Sequence, residues 1–546
     1  MRRSQFLTVA TAICIWLFVV HVALAQEKSK TQKSKPDNRP NILLIMVDDM
    51  GYSDLGCYGS EINTPNIDWL ANEGIMFREF YNNSICATTR ASLLTGQYPH
   101  KAGIGYFDED LGLPAYQGFL NNESLTLGEV LRAGGYSTLL SGKWHVGNDS
   151  LRWPIQRGFD KFYGILKGAS NYFNVDTLPL GLESYPVTLL KNNVRQYPTR
   201  DSYYLTDEIG NNAVEFLSEQ SKENKPFFLY LAFSAPHWPL HAKPEDIAKY
   251  KGKFDEGWDV LRARRIEKLR QKNLLLPHQT VAARDPEVAE WKKLTYDEQQ
   301  FWKTKMEVYA AMMDNMDQNV GLVLNKLKEL GKDQNTIIFF LSDNGSDNRN
   351  HNPNPSKRGE MKNAGPVGSS GSFDYLSRNW SYLSNTPLHQ YKNNMHEGGI
   401  CTPFIAWFPS KIKAGRIESG TGHLIDLAPT FYELAGVKYP TNFKGITPHP
   451  LAGKSLLPVL FGIATEVNRG EPIFWERAGN RAVREGTWKL VSDYPANRWE
   501  LYDIENDRGE TKDLAKENPD VVNRLSNAYL KWAEKNGVVE YSSFKR

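Results

Sequence analysis

Cys86 and Arg90 are the residues whose types and spacing most directly suggest chemistry, within Cys86-Ala87-Thr88-Thr89-Arg90-Ala91-Ser92-Leu93-Leu94-Thr95-Gly96. Small polar residues ahead of the apolar pair Leu93 and Leu94 read as a loop entering a short helix, with Cys86 near its first turn. Residues four apart share one helix face, so Arg90 sets a fixed cation beside the sulfur. A helix N-terminus and a guanidinium both favour an anion there. Taken alone, the pair reads more readily as a buried structural cysteine with an arginine neighbour.

Candidate oxygen ligands come from two distant places. Asn41–Val47 is a continuous apolar run, as in a central parallel strand covered on both faces, and it ends in Asp48-Asp49. Residues 336–341 have the same design and end in Ser342-Asp343-Asn344-Gly345. Each pair alone is an ordinary strand-ending turn or cap. Open α/β sheets, however, bind ligands beyond the carboxyl ends of their strands. Brought together, Asp48, Asp49, Asp343 and the amide oxygen of Asn344 form an all-oxygen set suited to a hard divalent cation. Histidine is absent from the four, which argues against a zinc pair.

Other elements must deliver the remaining polar groups. Residues 125–133 read as a helix stopped by Gly134-Gly135, and 136–140 as a strand leading to Lys143 and His145, which face one side of an extended segment. The buried run 226–233 carries His237 to the same edge. Residues 346–391 are rich in Asn, Gly, Ser and Pro, with Trp380 and Tyr382 embedded, and so long a loop is expected to be functional. It ends at Lys392, ahead of Met395-His396-Glu397-Gly398-Gly399-Ile400. Arg262, Arg264, Arg265 and Lys268, in the charged segment 242–300, read as a solvated surface. Helical periodicity through Met306, Tyr309, Met312, Met316 and Val320 reads as core packing. After about residue 465, short segments such as Ile473-Phe474-Trp475 and Trp488-Lys489-Leu490-Val491 suggest a small antiparallel sheet, followed by a helix over 519–535.

Residues 82–99 resemble the signature of the type I sulfatases, and the resemblance covers nearly the whole chain after residue 40, closest in flavour to bacterial arylsulfatases. It implies an α/β fold of the alkaline phosphatase kind: a large mixed, mostly parallel sheet sandwiched by helices over 40–464, with a smaller C-terminal antiparallel sheet plus helix over 465–546. It implies that Cys86 is oxidised to formylglycine by a maturing enzyme. Thr88 departs from the usual C-x-P-x-R or C-x-A-x-R, which narrows the choice of that enzyme. One calcium ion is implied at Asp48, Asp49, Asp343 and Asn344, with residue 86 beside it in the set. Lys143, His145 and His237 match active-site motifs, and Lys392 matches the lysine of a K-x-x-x-x-E-G-G block. Cys401 stands where many relatives have arginine.

The implied activity is hydrolysis of a sulfate monoester, on an aryl or carbohydrate substrate. The family mechanism assigns attack on sulfur with loss of the alcohol, then elimination of sulfate with His145 as base. His237 and Lys392 hold the sulfate and protonate the leaving oxygen, while Lys143 and Arg90 offset charge. Loops 103–120 and 346–391 are expected to shape the leaving-group pocket. Two alternatives stay open: a phosphate or phosphonate ester hydrolase on the same sheet, and an unmatured protein that binds sulfated glycans without cleaving them.

Composition bounds the rest. A chain of 546 residues, 40% hydrophobic, has ample core for one large domain plus a smaller one, and its formal net charge of +2 calls for no nucleic acid or anionic membrane. Residues 1–25 have the layout of a cleaved secretory signal, with Arg2 and Arg3, an apolar run too short to span a bilayer, and Ala23-Leu24-Ala25. Residues 26–39 read as a flexible leader, and the mature chain as periplasmic or extracellular, with no stable membrane insertion. Cys14 leaves with the signal, and Cys57 and Cys401 are expected as free buried thiols, a single bridge being the alternative.

Overall fold

The computed structural model describes residues 37–175, 187–198, 200–349 and 365–544. The expected signal sequence lies outside the described residues. Among the described residues no helix is long and apolar enough to cross a membrane.

Twelve strands precede the C-terminal region: β1 (Asn41–Val47), β2 (Ile75–Phe77), β3 (Phe80–Tyr81), β4 (Ser137–Gly142), β5 (Lys161–Ile165), β6 (Leu189–Lys191), β7 (Val194–Arg195), β8 (Phe227–Ala232), β9 (Thr336–Ser342), β10 (Phe404–Trp407), β11 (Arg416–Glu418) and β12 (Gly422–His423). Ten of them form one sheet in the order β11-β2-β10-β9-β1-β8-β4-β5-β6-β7. The centre is parallel: β1 pairs with β9 from Asn41↔Thr336 to Val47↔Ser342, and with β8 from Ile42↔Phe228 to Met46↔Ala232. β10 runs antiparallel to β9, and β6 antiparallel to β5, so the sheet is mixed and mostly parallel as expected. In register, β1 and β9 end together, and β4 ends level with β8 at Gly142↔Ala232.

Ile42 to Val47 are all fully buried, because helices cover both faces. Leu43, Ile45 and Val47 join a core with the helices Leu205–Gln220 and Tyr296–Glu329, while Ile42, Leu44 and Met46 join a second core with Cys86–Thr95, Leu127–Ala133 and Leu427–Leu434. Two-residue alternation on a strand sends neighbours to opposite faces, and a run apolar at every position can therefore exist only in a sandwich. Burying each large side chain there stabilises by roughly 1.5–3 kcal/mol.

Two expectations need correction. The helix Gly257–Gln271 is not a uniformly solvated surface: Arg265 is fully buried, with ion pairs of 2.8 Å to Asp54 and 2.8 Å to Glu61, and Arg262 is buried, donating to the Tyr382 carbonyl at 2.7 Å. Arg264 alone of the three arginines faces water, paired with Glu256 at 2.8 Å. Charge identifies a polar helix but not the carboxylates waiting on the neighbouring chain. Segment 346–391 is likewise not all loop, since Ser377–Ser384 is helical and Trp380 is buried, its indole N–H donating to the Trp302 carbonyl at 2.7 Å.

The C-terminal sheet is as expected, with β13 (Ile473–Arg477), β14 (Asn480–Glu485), β15 (Trp488–Ser492) and β16 (Glu500–Asp503) antiparallel in that order. The helix Pro519–Asn536 packs on it, Trp532 stacking on Phe474 with ring centroids 5.3 Å apart. Cys57, Cys86 and Cys401 are buried free thiols.

Candidate active site

The helix Cys86–Thr95 begins directly at the cysteine, and all ten of its residues are buried. Its N-cap, Ile85, is extended and offers no side-chain acceptor, so the first-turn N–H groups keep their pull on an anion. Gly96 ends it at φ 65°, a left-handed position suited to glycine. Thr89 fastens the first turn to the end of β9, its hydroxyl donating to the Asp343 carbonyl at 2.7 Å. Thr88, the residue departing from the signature, bonds within the turn to the Ile85 carbonyl at 2.9 Å.

The two strand ends bring the acids together. Arg90 Nη2 lies 3.0 Å from Asp343 Oδ2 and 3.6 Å from Asp48 Oδ2, and Lys143 Nζ lies 2.5 Å from Asp48 Oδ2. Lys392 Nζ reaches both oxygens of Asp49, at 2.6 and 2.7 Å, and the Asn344 amide donates to Asp49 Oδ1 at 2.7 Å. Burial and the neighbouring Asp343 charge hold the Asp48 carboxyl above its usual range, against Lys143, and burial does the same for Asp343 against Arg90. Asp49, equally buried, is instead held well below that range by the Lys392 ammonium.

This donor set fits a cation. Asp48 Oδ1 and Asn344 Oδ1 are buried with no hydrogen-bond partner among the described residues. One ligand atom from each of Asp48, Cys86 and Asp343 falls within 4.8 Å of the others, as do those of Asp48, Asp49 and His237. Hard oxygen ligands predominate, although His237 comes closer to them than the sequence indicated.

His145 sits at φ 59°, a left-handed conformation unusual for a side chain of its size, and neither ring nitrogen has a hydrogen-bond partner among the described residues. Burial and the Lys143 ammonium lower it to about 4, against the pull of Asp108, whose Oδ2 lies 3.6 Å from Nε2. His237 Nδ1 faces the Trp238 carbonyl at 2.7 Å, leaving Nε2 3.5 Å from Asp49 Oδ2. Burial, against Asp49 and Asp48, sets His237 at about 3. Cys86, His145, His237 and Lys392 line one cavity of about 460 Å³. A larger one, about 580 Å³, opens between Glu79, Thr421 and Arg469 and holds none of these groups.

A family model described as Sulfatase matches residues 40–437. The chain belongs to the sulfatase family. A second model, N-sulphoglucosamine sulphohydrolase, C-terminal, matches residues 389–535. An uncharacterized sulfatase of Schizosaccharomyces pombe is 34% identical over 93% of this chain and 96% of that one, and the arylsulfatase of Klebsiella aerogenes 33% identical over 77% and 91%. The crystal structure of Ps i-CgsB in complex with k-i-k-neocarrahexaose superposes at TM-score 0.66, with 29% identity over 91% of this chain and 93% of that one.

All of the sulfatase residues expected from the sequence gather here. Arg90 and Lys143 lie on the carboxylates, while Cys86, His145, His237 and Lys392 face the cavity. Asp108, Trp238, Arg349 and Arg477 were not singled out in the sequence, although Asp108 and Arg349 fall in the loops 103–120 and 346–391 expected to shape the pocket. Asp108 touches His145 and Lys167, at 3.6 and 3.4 Å, and the other three line the cavity. Trp238 follows His237 directly and could have been suspected, but nothing in the local pattern around Asp108 or Arg477 announces a contact made across the fold.

Proposed function

We propose that this sulfatase hydrolyses a sulfate monoester to an alcohol and sulfate, with residue 86 matured to formylglycine and one calcium ion held by Asp48, Asp49, Asp343 and Asn344, residue 86 beside it. The observation that carries the reading is the placing of Cys86 at a helix start, among buried carboxylates and on the same cavity wall as His145, His237 and Lys392. The formylglycine hydrate supplies a hydroxyl nucleophile that a thiol cannot replace, and the ion neutralises charge on the sulfuryl oxygens.

The chain's own residues do the rest. Arg90 and Lys143 offset the charge of Asp48 and Asp343 and hold them in place around residue 86. His145, neutral and with both nitrogens unbonded, accepts a proton from the nucleophilic centre as sulfate is expelled, and Asp108 steadies the resulting imidazolium. The Trp238 carbonyl fixes the His237 ring, so that Nε2 is the atom facing the ester. The ester's negative charge favours a proton on that nitrogen, which passes to the departing alkoxide. Lys392 holds a sulfuryl oxygen. The expected signal sequence would export the enzyme to a periplasmic or extracellular location.

The test measures hydrolysis of p-nitrophenyl sulfate and p-nitrophenyl phosphate, with peptide mass spectrometry across residues 82–99. Turnover of the sulfate that tracks the converted fraction of residue 86 is expected. Full activity from an unmodified thiol, or faster turnover of the phosphate, would overturn the reading.

A further inference from the structure

The groups proposed to face the sulfate, Cys86, His145, His237 and Lys392, supply only part of the cavity lining. At about 460 Å³ it has the size of a site for a whole small molecule, so the alcohol portion of the ester must fill the remainder. Two guanidiniums line that remainder, Arg349 and Arg477, and neither belongs to the sulfatase signature.

Arg477 is the last residue of β13, so the C-terminal sheet itself forms part of the cavity wall. The only side-chain hydrogen bond it makes among the described residues runs from Nε to the Tyr106 carbonyl, at 3.4 Å, with the guanidinium 5.3 Å from the Tyr106 ring centroid. An arginine carries five N–H donors, and here four find no acceptor in the described chain. No described carboxylate comes within ion-pair distance of it. Arginines that are buried in the fold are paired instead: Arg265 with Asp54 at 2.8 Å, Arg484 with Glu79 at 2.8 Å and Arg90 with Asp343 at 3.0 Å, whereas Arg477 is partly buried and unpaired by any described carboxylate.

Arg477 is partly buried, and guanidinium donors left free of protein acceptors on a cavity wall are available to a ligand bringing a counter-charge. Arg349 is half-engaged, with its guanidinium 4.2 Å from the Trp238 ring centroid and Nε 3.5 Å from Asp347 Oδ2. Lys392 is already neutralised by Asp49. Glu109 also lines the cavity but is exposed, where water and salt screen its repulsion.

We propose that the alcohol released at this site carries an anionic substituent of its own, a second sulfate or a carboxylate, and that Arg477 is the specificity-determining residue that binds it. The inference rests on the sulfate ester hydrolase reading above. A planar guanidinium fork offers two parallel N–H donors to either oxyanion. An ester of an uncharged alcohol leaves that fork without a partner, so the site discriminates against it by the loss of those bonds.

The experiment compares kcat/KM for galactose 4- and 6-monosulfate, galactose 4,6-disulfate and glucuronate 2-sulfate, in wild type, Arg477→Gln and Arg477→Lys. Wild type is expected to prefer a dianionic ester over the monosulfates, and whichever dianion wins identifies the substituent. Arg477→Gln should shrink that preference about ten- to a hundredfold, the size of a charge-assisted hydrogen bond. Arg477→Lys, which keeps the charge but loses the fork, should fall between, and both variants should keep the wild-type circular dichroism spectrum. Absence of the preference in wild type, or equal losses on all esters in Arg477→Gln, would overturn the assignment while p-nitrophenyl sulfate is still hydrolysed. Failure of wild type to hydrolyse any sulfate ester would instead overturn the reading on which it rests.

Discussion

Two histidines meet at one cavity in opposite settings, His145 with both nitrogens unbonded and His237 with Nδ1 on a carbonyl. The proposed function gives them different steps. His145→Ala should release one equivalent of alcohol rapidly and then stall, whereas His237→Ala should slow the release itself, most for poor leaving groups. Rapid-quench kinetics on phenyl sulfates of graded leaving ability separates the two, and identical losses in both variants would contradict the division of roles. Asp108, 3.6 Å from His145, supports the protonated ring. Its removal favours the neutral imidazole, so Asp108→Asn should move the acid limb of the pH–rate profile downward while lowering kcat about tenfold. A profile that keeps its position would assign Asp108 to structure alone. At this scale the sequence was legible wherever two residues sat close along the chain, as with Cys86 and Arg90. Asp108 meets its partner only because a loop folds over the cavity, and no local spacing records that.

Strands β1, β9 and β8 were readable because each is a run of apolar residues leading into polar ones, a pattern a strand covered on both sides produces. Two helices carry capping boxes that the sequence reading did not use, Thr126 with Glu129 and Thr295 with Glu298. The helix Gly257–Gln271 was misread because two of its arginines, Arg262 and Arg265, share its buried face with Trp258, Leu261 and Leu269. The consequence is a sharp contrast in stability. Arg265→Ala strands Asp54 and Glu61 without their cation and should cost about 3–5 kcal/mol. Arg264→Ala, on the exposed face, should stay within about 0.5 kcal/mol. Urea denaturation of the two variants checks both, and similar midpoints would show that the buried pairs contribute no more than the exposed one.

Across the whole molecule, the segment bearing Lys392 is held against the C-terminal sheet by charge. Lys489 pairs with Glu397 at 2.8 Å and with Glu510 at 3.0 Å, while His396 Nδ1 lies 3.3 Å from Glu510 and Nε2 lies 3.5 Å from Asp493. Burial would lower His396, but Glu510 and Asp493 override it and hold it at about 9. A group raised on folding stabilises fully below its unfolded value, near 6.5, and that contribution fades as pH rises through about 9. Glu510, held low by Lys489 against its burial, loses its contribution as pH falls below the ordinary carboxylate range. Melting temperature should therefore decline between about pH 6.5 and 9, and His396→Gln should flatten that limb; an unchanged slope in the variant would rule out His396 as its source. The small sheet could be read in the sequence, but not that it would brace the Lys392 segment and reach the cavity with Arg477. One consequence concerns time. Cys86 is 2% exposed, in a helix fastened to β9, so any enzyme that oxidises it must reach it before residues near 343 have been synthesised and have folded over it. Maturation is then a race between oxidation and closure, and folded, unmodified protein offered to a maturing enzyme should remain a thiol, whereas the same protein offered during refolding should be converted.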